Sequence, residues 1–302
     1  MTLFKEYLQP RDVDQALEQL TAAEGTTAVV AGGTDLLLDI RQARHPNVDV
    51  MVDVSAVKEM REISLQGDYV NIGAAATHKE IISNPILLEH ARCVVEGCGL
   101  IGGPQVRNVA TIGGNVAHAL PAGDGTVALL ALGTEIELAS QEGRRWEPLL
   151  DIFEGPGRVN FDRKENLVVG FRFLQKGKGE ASAFHRVMRP QGVAIAILNM
   201  ASWVKMSQET LIDVKLSCGP AGPRPFRAFR TEELIKGKRL DGELFKEACN
   251  MLSQEVSLRT SAHRATKEYR HMLLPVLLQR VLEKAISRSI DKPFNIEGVN
   301  ND

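Results

Sequence analysis

Two paired glycines are the places in this sequence where the backbone itself could do chemistry. One lies in Ala28–Asp35 (AVVAGGTD), the other in Asn108–Asn115 (NVATIGGN). A diphosphate needs several backbone N–H groups converging on it with no side chain in the way. Paired glycines allow both the unusual dihedrals and the close approach. Thr34 and Thr111 add hydroxyl donors, and Asn115 adds an amide. Asp124, flanked by glycines in Ala122–Gly125, follows the second pair by ten residues. A loop carboxylate there can accept hydrogen bonds from sugar hydroxyls. A dinucleotide would thus be held without a basic side chain. One glycine pair alone reads as a tight turn, and a lone Asp as a turn former. Two pairs, each after an apolar strand or its approach, point to binding.

Other motifs carry less. A literal G-x-G-x-x-G occurs at Gly97–Gly102. The dinucleotide fingerprint needs a strand before it and a helix opening at its end. Here a helical pattern precedes and Gly103-Pro104 follows, so Gly97 is expected to end that helix and the match is chance. No G-x-x-x-x-G-K-[ST] is present, which argues against a P-loop. Cys93 and Cys98 start a plant-type [2Fe–2S] spacing, but Ile101 stands where the third cysteine belongs. With Cys218 and Cys249, they read as buried or partly buried thiols.

The elements that must position the glycines follow from periodicity. Asp12 caps a first helix, with Gln15 in capping-box spacing and Val13, Ala16, Leu17 and Leu20 on one face; Gly25 is its expected stop. Ala28–Ala31 is a short buried strand, Leu36–Ile40 an apolar run, Val48–Val54 a second strand and Tyr69–Ala75 a third. This reads as a β-α-β unit with a glycine turn on its first strand. Ile81–Val95 reads as one helix and Gly97–Pro104 as a glycine-rich turn. Thr126–Leu132 is apolar, Glu135–Ala139 and Leu167–Phe173 are strands, and Gly155–Gly157 is a loop. Lys176–Gly179 is the linker candidate. Beyond it come strands over Gly192–Lys205 and Leu211–Ser217, a Gly/Pro loop over Cys218–Pro225, and helices over Gly242–Glu255 and Ser261–Ser289. Pro275 should kink or break the last helix. A polar tail starts at Asp291.

Length and charge bound the rest. A chain of 302 residues suggests two domains. It is 44% apolar and 25% charged, an ordinary globular balance. A net charge of -2 excludes a broad basic footprint for nucleic acid. No signal peptide is visible at the start, and no apolar stretch reaches the roughly 18 residues of a membrane helix. A cytoplasmic location is expected.

At AGGTDL (31–36), GPQVRNVATIGGN (103–115) and Ala-Gly-Asp (122–124) the chain resembles the FAD-binding medium subunit of molybdenum hydroxylases, the xanthine, nicotinate and carbon monoxide dehydrogenase family. The resemblance runs over nearly the whole chain. Glu165–Phe173 is similar to the family's acidic-acidic-Ile-Leu segment, with Asn166 replacing the second acid. Ala183–Ala194 resembles the segment before the C-terminal domain, and His263–Arg280 the closing helix. The resemblance implies an α+β chain. Its PCMH-type FAD-binding domain would span 1–175, in subdomains of about 1–56 and 57–175. A smaller CO dehydrogenase flavoprotein C-terminal-like domain would span 180–290, before a tail over 291–302.

It also implies site residues. Ala28, Val29, Val30, Ala31, Gly32, Gly33, Thr34 and Asp35, with Ala110, Thr111, Ile112, Gly113, Gly114 and Asn115, would wrap the FAD diphosphate. Asp124 would hold ribityl or ribose hydroxyls. Leu167 would lie against the flavin ring, with Phe184 or His185 near it. Arg107 is read as structural. His185 stands where Lys or Tyr is usual, and Met188-Arg189-Pro190 departs from the usual basic pair, so the electron acceptor stays open.

The implied role is electron transfer. Electrons would come from [2Fe–2S] clusters on one partner subunit, which draws them from a molybdopterin subunit, and leave to NAD+ or another acceptor. The three chains would form a heterotrimer. One alternative is a self-contained FAD-dependent reductase of the same fold, with Ser217 or Cys218 as proton donor. Another is a scaffold subunit without flavin.

Overall fold

The computed structural model describes residues 4–190 and 195–296. It builds the chain around three sheets. The first holds β1 (Glu6–Leu8), β2 (Thr27–Val30) and β3 (Val50–Asp53) in the order β1-β3-β2, all parallel. Helix α1 (Val13–Ala22) joins β1 to β2 and buries the four apolar residues expected of it. Asp12 accepts the Gln15 amide at 2.8 Å, while the Gln15 side chain reaches the Arg11 amide. The helix ends at Ala22, before Gly25, which sits against Asp49 with a positive φ. Helix α2 (Leu36–Arg41) starts directly after the first glycine pair.

The second sheet is antiparallel: β4 (Ile63–Gln66), β5 (Tyr69–Gly73), β6 (Glu135–Ser140), β7 (Gly143–Pro148) and, beyond a small hairpin β8 (Phe153–Gly155) and β9 (Arg158–Val159), β10 (Leu167–Leu174). Their order is β4-β5-β10-β6-β7. The Tyr69 strand therefore belongs to a different sheet from the β-α-β unit. A two-residue turn hairpins it to Ile63–Gln66 instead.

Between β5 and β6 lies a run of short helices. The single helix expected over 81–95 is three: α3 (His78–Ser83), α4 (Pro85–His90) and α5 (Arg92–Gly99). Local chemistry divides them. Thr77 and Glu80 form a full capping box on α3. Asn84 caps α4, whose first residue is Pro85, a position that needs no N–H. Gly97 lies inside α5, where its backbone meets that of Asp124, and does not end the helix. Pro104 opens a one-turn helix, α6 (Pro104–Arg107), again with proline at the first position. No strand precedes Gly97, so the G-x-G-x-x-G match has no dinucleotide-binding context. The second glycine pair follows α6 and opens helix α7 (Ile112–Ala117), so it too follows no strand. Helix α8 (Asp124–Ala131) is buried along its whole length.

The third sheet holds β11 (Glu180–Val187), β12 (Leu198–Ser207), β13 (Thr210–Gly219), the short β14 (Phe226–Arg227) and, after α9 (Phe229–Ile235), β15 (Lys238–Arg239). Helices α10 (Gly242–Glu255) and α11 (Lys267–Ser289) close the described fold. Helix α11 starts six residues later than the pattern suggested, because Thr266 caps it. It runs through Pro275 without a break. The expected strand residues 192–194 and tail residues 297–302 lie outside the described residues.

Two large cores result. One fills the space between α1, the second sheet, α5 and α8; the other lies between the third sheet, α10 and α11. They meet at α8. Ser217 on β13 donates to the Val127 carbonyl at 2.6 Å, and Cys93 on α5 meets the Ala128 carbonyl at 3.5 Å. Glu96 on α5 ties the halves from a second side. It accepts from the Phe184 amide at 2.9 Å, Arg288 at 2.5 Å and Lys284 at 2.9 Å. Burial would raise its carboxyl, but these three donors overcome that and hold it below the ordinary range.

Candidate cofactor site

Strand β2 delivers Ala28, Val29 and Val30 in register with Met51, Val52 and Asp53, and the chain then turns at Ala31–Asp35. Gly33 adopts the left-handed region, φ +64°, which glycine enters without strain. A Cβ on Gly32 would stand 2.2 Å from the Val109 carbonyl oxygen and 2.7 Å from the Ala110 Cα. The two glycine segments are therefore in direct contact. Among the described residues, the amides of Gly32, Gly33, Thr34 and Asp35 have no hydrogen-bond partner within the chain. The carbonyls of Gly33 and Asp35 accept from Leu37 and Asp39 as α2 begins. Four successive N–H groups without a partner, around the left-handed Gly33, leave this turn free to donate to an anion.

The second glycine pair has different work. The Ala110 amide donates to Val106, Ile112 to Ala76, Gly113 to Ala74, and Asn115 to Thr111, all at 2.8–3.1 Å. The Thr111 hydroxyl caps the Gly114 amide at 3.1 Å. The Asn115 side-chain oxygen accepts from the Thr126 amide and hydroxyl. This segment is thus a wall: apart from that of Thr111, its amides are spent on α6, on the turn after β5 and on the first turn of α7, and the Asn115 side chain ties it to α8. Arg107 donates to the carbonyls of Ile101 and Gly102, the structural role expected of it.

Asp124 is not on a loop. It is the first residue of α8, 6% exposed, and holds Arg186 and Asn199 of the third sheet, the latter at 2.6 Å. Burial pushes its carboxyl up, against the pull of those two partners. Leu167, 2% exposed, heads β10. Phe184 and His185 point to opposite faces of β11. Phe184 is buried in the first core, whereas His185 is half-buried on the side of α11. Burial, then Lys284 and Arg280, hold the His185 imidazole below its usual range.

Sequence reasoning missed four contributors. His118, at the end of α7, lies 3.7 Å from Asp35 and 3.6 Å from Asp39, so it bridges the two glycine segments at their far side. His78 is 1% exposed, its amide donates to the Ala110 carbonyl, and its Nδ1 has no partner. Burial, with Arg107 nearby, lowers its pKa to about 4. Arg186 and Asn199 complete the Asp124 cluster. Only the Thr77–Glu80 spacing beside His78 carried any sequence signal.

Residues 3–173 match the family described as the FAD binding domain in molybdopterin dehydrogenase. The chain belongs to that family. Residues 182–285 match the CO dehydrogenase flavoprotein C-terminal domain. Among relatives of this flavoprotein chain is the putative xanthine dehydrogenase FAD-binding subunit of Escherichia coli strain K12, 28% identical over 270 residues, which covers 89% of this chain and 91% of the relative. The nicotinate dehydrogenase FAD-subunit of Eubacterium barkeri is 28% identical over 255 residues, or 83% and 86%. The solved carbon monoxide dehydrogenase from Hydrogenophaga pseudoflava superposes with a TM-score of 0.88 at 25% identity, over 94% of this chain and 97% of that one. The FAD-binding fold with a CO dehydrogenase-type C-terminal domain is thus the architecture here, and FAD is the family's cofactor.

Proposed function

We propose that this chain is the FAD-carrying electron-transfer subunit of a multi-subunit molybdenum hydroxylase. In this reading it takes electrons from [2Fe–2S] clusters on one partner, which draws them from a molybdopterin subunit, and passes them to NAD+ or another acceptor. The run of free amides at Gly32–Asp35 carries the reading. It suits a diphosphate, whose oxygens accept N–H donors and whose charge needs no cation where backbone dipoles converge.

Ala28–Ala31 then deliver the cradle, Gly32–Asp35 hold the phosphate oxygens, and Ala110–Asn115 form the second wall. Asp124 has lone pairs beyond those given to Arg186 and Asn199, and these accept a sugar hydroxyl. Leu167, with Phe184 or His185, is assigned to the ring end. The two point to opposite faces of β11, so one of them serves there, Phe184 through packing or His185 through its imidazole. When bound, FAD supplies exchange between one-electron and two-electron transfer. Four free cysteines suit the reducing cytoplasm. No helix among the described residues is long and apolar enough to cross a membrane.

Absorption spectroscopy of the purified chain, with identification of what denaturation releases, tests this. About one FAD per chain is expected, with no substrate-dependent flavin reduction until the partner subunits are added. A colourless protein that cannot be reconstituted with FAD overturns the reading. Substrate-dependent reduction by the chain alone would favour the self-contained reductase instead. The structure gives that alternative little support. The Ser217 hydroxyl is buried and spent on Val127, and burial pushes the Cys218 thiol far up.

A further inference from the structure

His118 ends helix α7 and reaches across to the start of α2. Its Nδ1 lies 3.7 Å from an Asp35 carboxylate oxygen, and its Nε2 3.6 Å from an Asp39 one. The two acids are four residues apart, which stacks them on one side of a helical turn. Each ring nitrogen therefore faces an anion. A neutral imidazole has one N–H and one lone pair, so one of its nitrogens would turn a lone pair towards a carboxylate. Only the imidazolium donates to both sides. The side chain is 33% exposed, so a proton can reach it from water.

The charges around this bridge leave His118 a distinct part. Arg44 holds the other Asp39 oxygen at 2.6 Å. Asp35 has no second cation among the described residues. Arg163, from the loop before β10, donates to the Ala117 carbonyl beside His118 at 2.8 Å. Helix α7 itself carries no charged residue. His45 gives its amide to the Asp39 carbonyl, but its ring faces the Pro46 carbonyl.

Asp35 is also the last of the four residues whose amides have no partner. A diphosphate on those amides would bring negative charge beside two carboxylates. Added negative charge favours the protonated form of a nearby base. We infer that FAD binding draws a proton from solvent onto the His118 imidazole, which then bridges Asp35 and Asp39. This rests on the assignment of the diphosphate to Gly32–Asp35. The amides hold the phosphates, and the proton answers the carboxylates. His118 is thus a positioning residue: as imidazolium it holds Asp35, with its amide, against the second glycine segment. Cofactor and proton bind together, and the coupling is reciprocal, so FAD affinity falls as pH rises.

Calorimetric titration of FAD into the full flavin-free chain tests this. It is run at about pH 7.5, where an ordinary histidine is mostly neutral, in two buffers of different ionisation enthalpy. The wild type should take up part of a proton per FAD, and its affinity should fall between about pH 6.5 and 8.5. His118→Gln should lose the uptake and the pH dependence. At the acidic end it should bind FAD about twofold to fivefold more weakly than the wild type. Asp39→Asn, with one carboxylate left at the ring, should take up less. His45→Gln should behave as the wild type. FAD binding without net proton uptake, or an uptake that survives in His118→Gln, overturns the proposal and leaves the diphosphate cradle standing. A chain that binds no FAD overturns both.

Discussion

The missing Cβ of Gly32 is the space taken by the Val109 carbonyl, 2.2 Å from where that carbon would stand. The carbonyl is backbone and cannot swing aside. Gly32→Ala must therefore part the two glycine segments, and with them the free amides and the opposite wall. FAD affinity should fall by at least tenfold, read by titrating flavin fluorescence. The fold should lose about 1–3 kcal/mol, the usual range for overpacking. Unchanged FAD affinity would separate cofactor binding from this contact.

His78 couples stability to acidity. Its native pKa of about 4 lies below the free value of 6.5. Above pH 6.5 both folded and unfolded chains hold it neutral, and it contributes no pH dependence. Between pH 6.5 and 4 the unfolded chain takes up a proton that the folded one refuses, so stability falls as pH drops. The full loss is about 3 kcal/mol. Denaturant unfolding across that window should show a steeper decline for the wild type than for His78→Gln.

Arg186 and Asp124 are each almost wholly buried, with side chains 5% and 6% exposed. Arg186→Met should leave an uncompensated carboxyl and cost about 3–5 kcal/mol. The double variant with Asp124→Asn should recover much of that, and a double-mutant cycle on chemical denaturation measures the coupling.

Glu96→Gln removes the charge that Arg288 and Lys284 share. The carboxyl is partly exposed, so the expected loss is about 1–2 kcal/mol. Its native pKa is held below the free value, so the stabilisation is present above the free carboxylate range and disappears as pH falls through the lowered one. Salt should weaken it. Unfolding midpoints at low and high ionic strength check both points.

The glycine pairs were legible because only glycine fits a left-handed turn or a backbone in contact with backbone. Leu167–Phe173 and Gly242–Glu255 were legible because their patterns are strong. The helices over 78–99 were not: capping by Thr77 and Asn84 overrides a continuous apolar stripe, and an apolar stripe shows no breaks. Asp124 read as a loop residue because Gly-Asp-Gly favours turns locally. Its partners, Arg186 and Asn199, are 62 and 75 residues away, a distance no local pattern spans. The unequal work of the two glycine pairs was equally hidden, since it depends on which amides distant carbonyls have already taken.

Helix α8 gives the chain an order of assembly on the ribosome. Its eight residues emerge with α5 and α7 to lie against, and the β13 strand that covers the other side, through Ser217 and Val127, is 90 residues further on. Until that strand is made, an apolar helix stays bare next to the segments that would hold a nucleotide. The first half of this protein is thus finished by the second. Flavin loading is therefore expected of the complete chain, and a chain ending before residue 219 is expected to expose α8.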